Sequence, residues 1–235
     1  MKVIIVKDEQ EGGKRAFEIF QQALKNRIKV FGLATGSTPL TTYAQLVASD
    51  LDFSESISIN LDEYIGLQAT DPQSYHAYMQ KNLFRFKKFK HSFLPNGTTA
   101  DEQAEIKRYN QLLTKYPIGL QLLGIGQNGH IGFNEPGSSF TEKTHKVALT
   151  ESTIRANSRF FENEADVPHF AFSMGIGSIL QAKQILLEAY GPQKAAAVAA
   201  MIQGPVSEAC PASALQQHPN VTVIADLAAA AKLKH

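Results

Sequence analysis

An α/β fold with a mostly parallel central sheet is predicted by two regularities of this sequence. Short apolar runs of strand length, often β-branched, recur at Val3–Val6, Val30–Ala34, Ser56–Leu61, Ile118–Ile125, Lys146–Leu149, Phe170–Met174, Gln184–Ala189 and Val221–Ala225. Helical patterns lie between several of them, at Glu9–Asn26, Pro39–Ala48, Gln73–Phe86, Ala100–Tyr116 and Gln193–Ile202. Strands alternating with helices build a parallel sheet covered on both faces. At 235 residues the chain suits a single domain over 1–235 better than two small ones. Such sheets bind ligands beyond the carboxyl ends of their strands, so the loops that follow strands are the ones to search.

The first run, Lys2-Val3-Ile4-Ile5-Val6, follows Met1 directly and is too short for the apolar region of a signal peptide. The second, Val30–Ala34, leads into Thr35-Gly36-Ser37-Thr38-Pro39, with Pro39 in the first-turn position that proline tolerates in a helix. Backbone N–H groups at a helix start, the positive end of its dipole and nearby hydroxyls suit a phosphate. Taken alone, the same loop is an ordinary strand-to-helix turn with an N-cap. It lacks the Walker lysine and the full dinucleotide spacing, which sets mononucleotide and NAD readings aside.

The third run ends in Asn60-Leu61-Asp62-Glu63-Tyr64. Adjacent carboxylates titrate apart when one is desolvated, which is one way to prepare a base. A surface pair capping a helix is the competing reading, and a hard-metal site would want more carboxylates nearby. The fourth run, Ile118–Ile125, enters Gly124-Ile125-Gly126-Gln127-Asn128-Gly129-His130-Ile131-Gly132-Phe133-Asn134-Glu135-Pro136. A loop that only connects two elements has little need of so many polar groups among its glycines. His130 and Glu135 are five apart, not the i,i+4 spacing of two ligands on one helix face, and no second histidine stands near, which argues against zinc. A carboxylate that holds a histidine fixes its tautomer and raises its basicity, so acid/base work is the natural role of the pair.

Apolar content of 43%, 19% charged residues and a net charge of +1 describe an ordinary soluble protein with no surface for nucleic acid. The densest basic patch, Arg85 to Lys90 with Phe86 and Phe89 interleaved, reads as a helix end with a solvated face. No apolar stretch approaches the roughly 18 residues of a membrane span. The single Cys210 excludes an internal disulfide and a multi-cysteine zinc site, and reads as a structural residue. The expected location is the cytoplasm.

Four motifs together carry a resemblance: Leu-Asp-Glu-Tyr at 61–64, the Gly-rich run at 124–136, Ala-Asn-Ser-Arg-Phe-Phe at 156–161 and Gly-Pro-Gln-Lys-Ala at 191–195. In this order and spacing they resemble the glucosamine-6-phosphate deaminase family. The resemblance implies a modified Rossmann-like three-layer sandwich, shared with 6-phosphogluconolactonases and sugar-phosphate isomerases. It implies conversion of glucosamine 6-phosphate and water into fructose 6-phosphate and ammonia in aminosugar catabolism, with no cofactor and no metal. By resemblance, His130 with Glu135 opens the sugar ring, and Asp62 moves a proton from C2 to C1. Gly36, Ser37, Thr38, Arg159 and Lys194 hold the phosphate, and residues 145–170 form a mobile lid.

Two departures from the family's pattern matter. Asn128 stands where much-studied members carry an aspartate; an amide cannot act as a base, but it can orient His130 or its carboxylate partner. The basic pair used elsewhere to bind the activator N-acetylglucosamine 6-phosphate is replaced by Thr144-His145-Lys146-Val147, and a longer C-terminal segment is missing. A monomer or small homo-oligomer without allosteric activation is therefore expected. The alternatives are a 6-phosphogluconolactonase, disfavoured by Phe133-Asn134-Glu135-Pro136 with Asp62-Glu63, and a non-catalytic sugar-phosphate sensor, disfavoured because Asp62, His130 and Glu135 are all present.

Overall fold

The structure is a computed structural model describing residues 1–158, 161, 163 and 166–234, with the backbone only at 152, 156 and 157. Along the chain run β1 (Lys2–Val6), α1 (Glu9–Lys25), β2 (Val30–Leu33), α2 (Leu40–Ala48), β3 (Ile57–Asn60), β4 (Asp62–Tyr64), α3 (Tyr75–Met79), β5 (His91–Phe93) and α4 (Glu102–Lys115). They are followed by β6 (Leu120–Gly124), β7 (His145–Ala148), α5 (Glu151–Ser158), β8 (Phe170–Ser173), α6 (Ile176–Ile179), β9 (Ile185–Ala189), α7 (Ala195–Gln203) and β10 (Val221–Asp226). Among the described residues no helix is long and apolar enough to cross a membrane.

The helices start where short polar side chains can take up orphan N–H groups. Asp8 accepts from the Glu11 amide at 2.9 Å to open α1, and Asp101 accepts from the Ala104 amide at 2.9 Å to open α4. Ser74 accepts from the Ala77 amide at 3.0 Å at the head of α3. Two glycines inside α1 let it pack closely: a Cβ at Gly12 would strike the ring of Tyr190, and one at Gly13 would strike Thr41 of α2.

Seven parallel strands form the central sheet in the order β1-β10-β9-β6-β2-β3-β5. β3 and β9 are buried along their whole length, as strands covered on both faces must be. The order sets a switch point between β2 and β6: after β2 the chain continues toward β3 and β5, and after β6 it returns toward β9 and β10. The loops leaving these two neighbours therefore diverge and open a crevice at the carboxyl edge.

A second, antiparallel sheet, β4-β8-β7, stands beside the central one. The runs expected at Lys146–Leu149 and Phe170–Met174 are strands, but they pair with each other and with β4, beyond the end of β3. The Met174 amide donates to the Leu61 carbonyl at 2.7 Å and joins the two sheets. Elements without an apolar run were not anticipated: the edge strand β5, whose His91 and Ser92 are exposed, the short α6 and the helix α5. The helix expected over Gln73–Phe86 is α3 followed by a π-helical turn at Gln80–Phe84. The helix expected over Gln193–Ile202 is a 3-10 turn at Pro192–Lys194 continued by α7. In the basic patch, Lys87 donates to the Ser49 and Leu51 carbonyls and Arg85 lies 4.5 Å from the Phe86 ring centroid, so the patch ties down a helix end.

Tyr109 of α4 fastens the crevice from below, because its fully buried hydroxyl donates to the Asn60 carbonyl at 2.6 Å, two residues before Asp62. Tyr109→Phe leaves that buried carbonyl short of a donor and is expected to cost about 1–3 kcal/mol, read from the midpoint of denaturant unfolding.

Candidate active site

At the carboxyl edge, β2 delivers Thr35–Pro39 and β6 delivers Gly124–Pro136, and the two loops meet: the direction of a Cβ at Gly124 points to Thr38 Oγ1, 3.7 Å away. Gly36 adopts φ +90°, which favours glycine, and nothing lies within 4 Å of where its Cβ would be. The Gly36 carbonyl is held by the Tyr78 hydroxyl at 2.6 Å. Ser37 is exposed and Thr38 half-buried. Pro39 is the N-cap of α2 rather than its first helical residue, so the amides of the first turn follow directly on Gly36–Thr38.

Asp62 sits against the Gly-rich loop. A Cβ at Gly132, whose φ is +56°, would lie 3.7 Å from Asp62 Oδ2 and 3.1 Å from Ser173 Oγ. Asp62 is only 6% exposed and its Oδ1 is buried without a hydrogen-bond partner. Burial, and then the neighbouring Glu63, push its pKa up to about 8. The adjacent acid has a different task. Glu63 accepts from the amides of Tyr64, Tyr75 and His76, each at 2.9 Å, and so caps α3. Burial still raises Glu63, with those three donors working against it.

His130 is folded back over its own loop. Its carbonyl accepts from the Gly126 amide at 2.8 Å, and its ring lies where a Cβ at Gly126 would be, so only glycine fits there. His130 Nδ1 is buried and faces Glu135 Oε1 at 3.4 Å, an ion-pair separation longer than a hydrogen bond. Glu135 is the hub of the loop: Asn128 Nδ2 donates to Oε2 at 2.6 Å and Thr153 Oγ1 donates to Oε1 at 2.6 Å. Burial alone would raise Glu135, but the facing His130 ring, with the donors Thr153 and Asn128, brings it down to about 2. Asn128 also accepts the His130 amide on Oδ1 at 3.2 Å, so one amide side chain orients both members of the pair.

The structure thus brings together Asp62, Asn128, His130 and Glu135, and sets Gly36–Thr38 beside them. Lys194 lies beyond the end of β9, at the same sheet edge and two strands from β2. Arg159 lies outside the described residues. Cys210 is half-buried, with its sulfur against Gly129.

Sequence reading missed Thr153, Ser173 and Tyr75. Ser173 Oγ accepts the Phe133 amide at 3.1 Å, and the Tyr75 ring stacks on Phe133 at 6.1 Å inside a small apolar cluster with Tyr64, Leu149 and Ala171. Thr153 stands in an ordinary Thr-Glu-Ser-Thr helix start, and nothing in that pattern points to a carboxylate 18 residues earlier.

A carboxyl group poised near neutrality, a histidine held by an ionised carboxylate, and an open glycine turn at a helix start together can move protons on a substrate anchored by an anionic group.

The chain matches the family model described as glucosamine-6-phosphate isomerases/6-phosphogluconolactonase over residues 9–224. It is 63% identical over 234 residues to a glucosamine-6-phosphate deaminase of Ligilactobacillus salivarius, with 100% of both chains covered. It is 60% identical over 235 residues to one of Pediococcus pentosaceus, again covering 100% of each. Among solved structures, it is similar to a monomeric glucosamine-6-phosphate deaminase with a TM-score of 0.96 and 44% identity, covering 99% of this chain and 100% of that one. A 6-phosphogluconolactonase from Trypanosoma brucei shares the fold at a TM-score of 0.82 and 18% identity, covering 99% and 98%.

Replacing Thr153 with Val removes a donor to an ionised carboxylate, worth about 1.5–3 kcal/mol, and so is expected to raise the Glu135 pKa by roughly one to two units. Carboxyl-carbon NMR titration of the variant reads this directly.

Proposed function

The chain belongs to the glucosamine-6-phosphate isomerase/6-phosphogluconolactonase family, and from that membership we propose that it converts glucosamine 6-phosphate and water into fructose 6-phosphate and ammonia. The observation that carries the deaminase reading over the lactonase is the buried, unpartnered carboxyl of Asp62 beside the His130 loop. Lactone hydrolysis needs an activated water, whereas an aldose-to-ketose shift needs a base that takes a proton from one carbon and returns it to the next. The full-length similarity to deaminases at 63% and 60% identity supports the same choice.

His130, paired with Glu135 and aligned by Asn128, moves a proton between the anomeric hydroxyl and the ring oxygen to open the sugar. Asp62 then takes the C2 proton, the C1–C2 enolamine forms, and the same proton is delivered to C1 to leave an imine at C2. Water adds to C2, a proton passes to nitrogen, and ammonia leaves, giving the ketose. The raised pKa of Asp62 matches this duty, since a group that accepts and gives back a proton works best when its pKa lies near the working pH. Gly36, Ser37 and Thr38 hold the phosphate with Lys194 and Arg159.

The segment 145–170 acts as a lid over this site. Its ends are fixed by the pairing of β7 with β8, while Thr153 reaches Glu135 and Phe161 meets Tyr64 edge-on at 5.9 Å. Closure excludes water from the enolamine. The enzyme works in the cytoplasm as a monomer without activation by N-acetylglucosamine 6-phosphate. Lys146 supports this, because its ammonium is taken by Glu102 at 2.8 Å and lies 4.2 Å from the Phe170 ring centroid.

Purified protein is expected to form ammonia and fructose 6-phosphate in equal amounts, and Asp62→Asn to form neither. Since the ionised base is required, kcat at saturating substrate should rise with pH and level off above about 8. The native state holds the Asp62 proton between the ordinary carboxyl range and about pH 8, so this group costs stability as pH rises through that window. Asp62→Asn should therefore keep or gain thermal stability above pH 8. Products that appear unequally, or an active Asp62→Asn, would reject the mechanism. Light scattering should give the monomer mass, and rate curves should be hyperbolic with or without N-acetylglucosamine 6-phosphate; a sigmoidal curve restored by that compound would refute the absence of control.

A further inference from the structure

β9 carries one residue out of keeping with the rest of the strand. Its sequence is Ile-Leu-Leu-Glu-Ala, and Glu188 is fully buried among the apolar side chains of the central sheet. Nothing in the proton transfers above uses it. A buried acid needs a reason, because taking a carboxylate out of water is costly unless it is paired or protonated.

The position of Glu188 supplies one. It pairs in register with Gly124 on β6, whose Cβ direction meets Thr38. On the same side, Thr42 in the first turn of α2 donates to Glu188 Oε1 at 2.6 Å, and Tyr190 donates to Oε2 at 3.2 Å. The tyrosines that hold the loop, Tyr43 on the Ala34 carbonyl at 2.5 Å and Tyr78 on the Gly36 carbonyl at 2.6 Å, both feel the Glu188 charge. Glu188 therefore lies under Thr35–Pro39, against the same α2 amino terminus that faces an incoming phosphate. A negative charge there competes with a dianion for the same dipole and donors.

We propose that Glu188 is a positioning residue of the phosphate loop, whose carboxyl group must hold its proton for Gly36–Thr38 to accept a phosphate dianion. This rests on the reading of that loop as the phosphate site. Binding and proton uptake are then linked: the anion favours the protonated acid, and the ionised acid weakens the anion by the same factor.

Burial raises Glu188 to about 8, with Thr42 and Tyr190 pulling the other way. Asp62 is also pushed up to about 8, so every binding profile below, that of wild-type Glu188 included, is measured with Asp62 replaced by Asn. Tyr43 of α2, Tyr78 of α3 and Tyr190 are all raised well above the ordinary tyrosine value, and Glu9 of α1 and Asp226 of β10 face Tyr190 as further acids. Its neighbours across the strands are Gly124 and Ile224, which carry no charge.

The test uses fructose 6-phosphate, which has no amine to titrate, and inorganic phosphate as a second probe, each measured by calorimetry. From pH 7 to 9 the fructose 6-phosphate dissociation constant of the wild type should rise about tenfold, as loss of one required proton with a pKa near 8 demands, and binding should take up protons. Glu188→Gln should hold the constant within about twofold and take up none. Thr42→Val, which removes a donor to the ionised form, should move the midpoint to higher pH, a change that a merely structural contact would not produce. Glu188→Met serves if the Gln variant fails to fold. A flat wild-type profile, or a tenfold rise that persists without Glu188, overturns the proposal. Inorganic phosphate bound with this Glu188 dependence while fructose 6-phosphate is not would sink the substrate reading alone; failure of both probes at pH 7 would sink the loop as an anion site and this inference with it.

Discussion

Two adjacent parallel strands that send their chains apart create a crevice where backbone and side chains can converge on a ligand. β2 ends at Leu33 and β6 at Gly124, and because their continuations diverge, neither loop is covered by the other's helix. Everything in the candidate site hangs from that split. Thr38 comes from one side of it, the His130 loop from the other, and β4 extends past β3 to place Asp62 against Gly132. The second sheet is a consequence of the same geometry: residues carried beyond the end of β3 have lost their parallel neighbours, and β8 and β7 supply new ones.

Within the crevice, acids of similar intrinsic strength are driven far apart by what surrounds them. Asp62 is buried with an oxygen unpartnered and is pushed up to about 8, whereas Glu135, facing His130 and accepting from Thr153 and Asn128, falls to about 2. Glu63, next in sequence to Asp62, spends its oxygens on three backbone amides and serves as a helix cap. Environment assigns the roles: a group that can exchange a proton, a permanently charged partner for a histidine, and a structural anchor. Asn128 fits the same logic. A second carboxylate 2.6 Å from Glu135 would raise the pair by like-charge repulsion, whereas the amide donates to Glu135 and accepts from the His130 backbone at once.

Glycines make this crowding possible at a few points only. At Gly126 the His130 ring occupies the space of a side chain, and at Gly132 a positive φ turns the loop beside Asp62. α5 joins the same network through Thr153, so its placement is coupled to the charge state of the carboxylate that faces the histidine.

The order of strands and helices was legible because buried parallel strands are short continuous apolar runs, and amphipathic helices repeat every 3.6 residues. α1, α2 and α4 fall within a residue or two of the ends read from sequence. The Gly-rich loop and the Asp-Glu pair were legible because few structural demands concentrate glycines, a histidine and acids after a strand. By itself, then, the sequence determined the alternation that makes an α/β sheet, the loops that form the candidate site, and the family. Tertiary structure alone decided which strands leave the main sheet, that Glu63 caps a helix while an oxygen of its neighbour Asp62 stays unpartnered, that Thr153 reaches Glu135, and that Glu188 lies beneath the Thr35–Pro39 loop. The reason is physical: periodicity and turn chemistry are local and written residue by residue, whereas burial, strand pairing and the pKa of an acid depend on groups that meet only after the chain has folded, as Thr42 and Glu188 do across 146 residues of sequence.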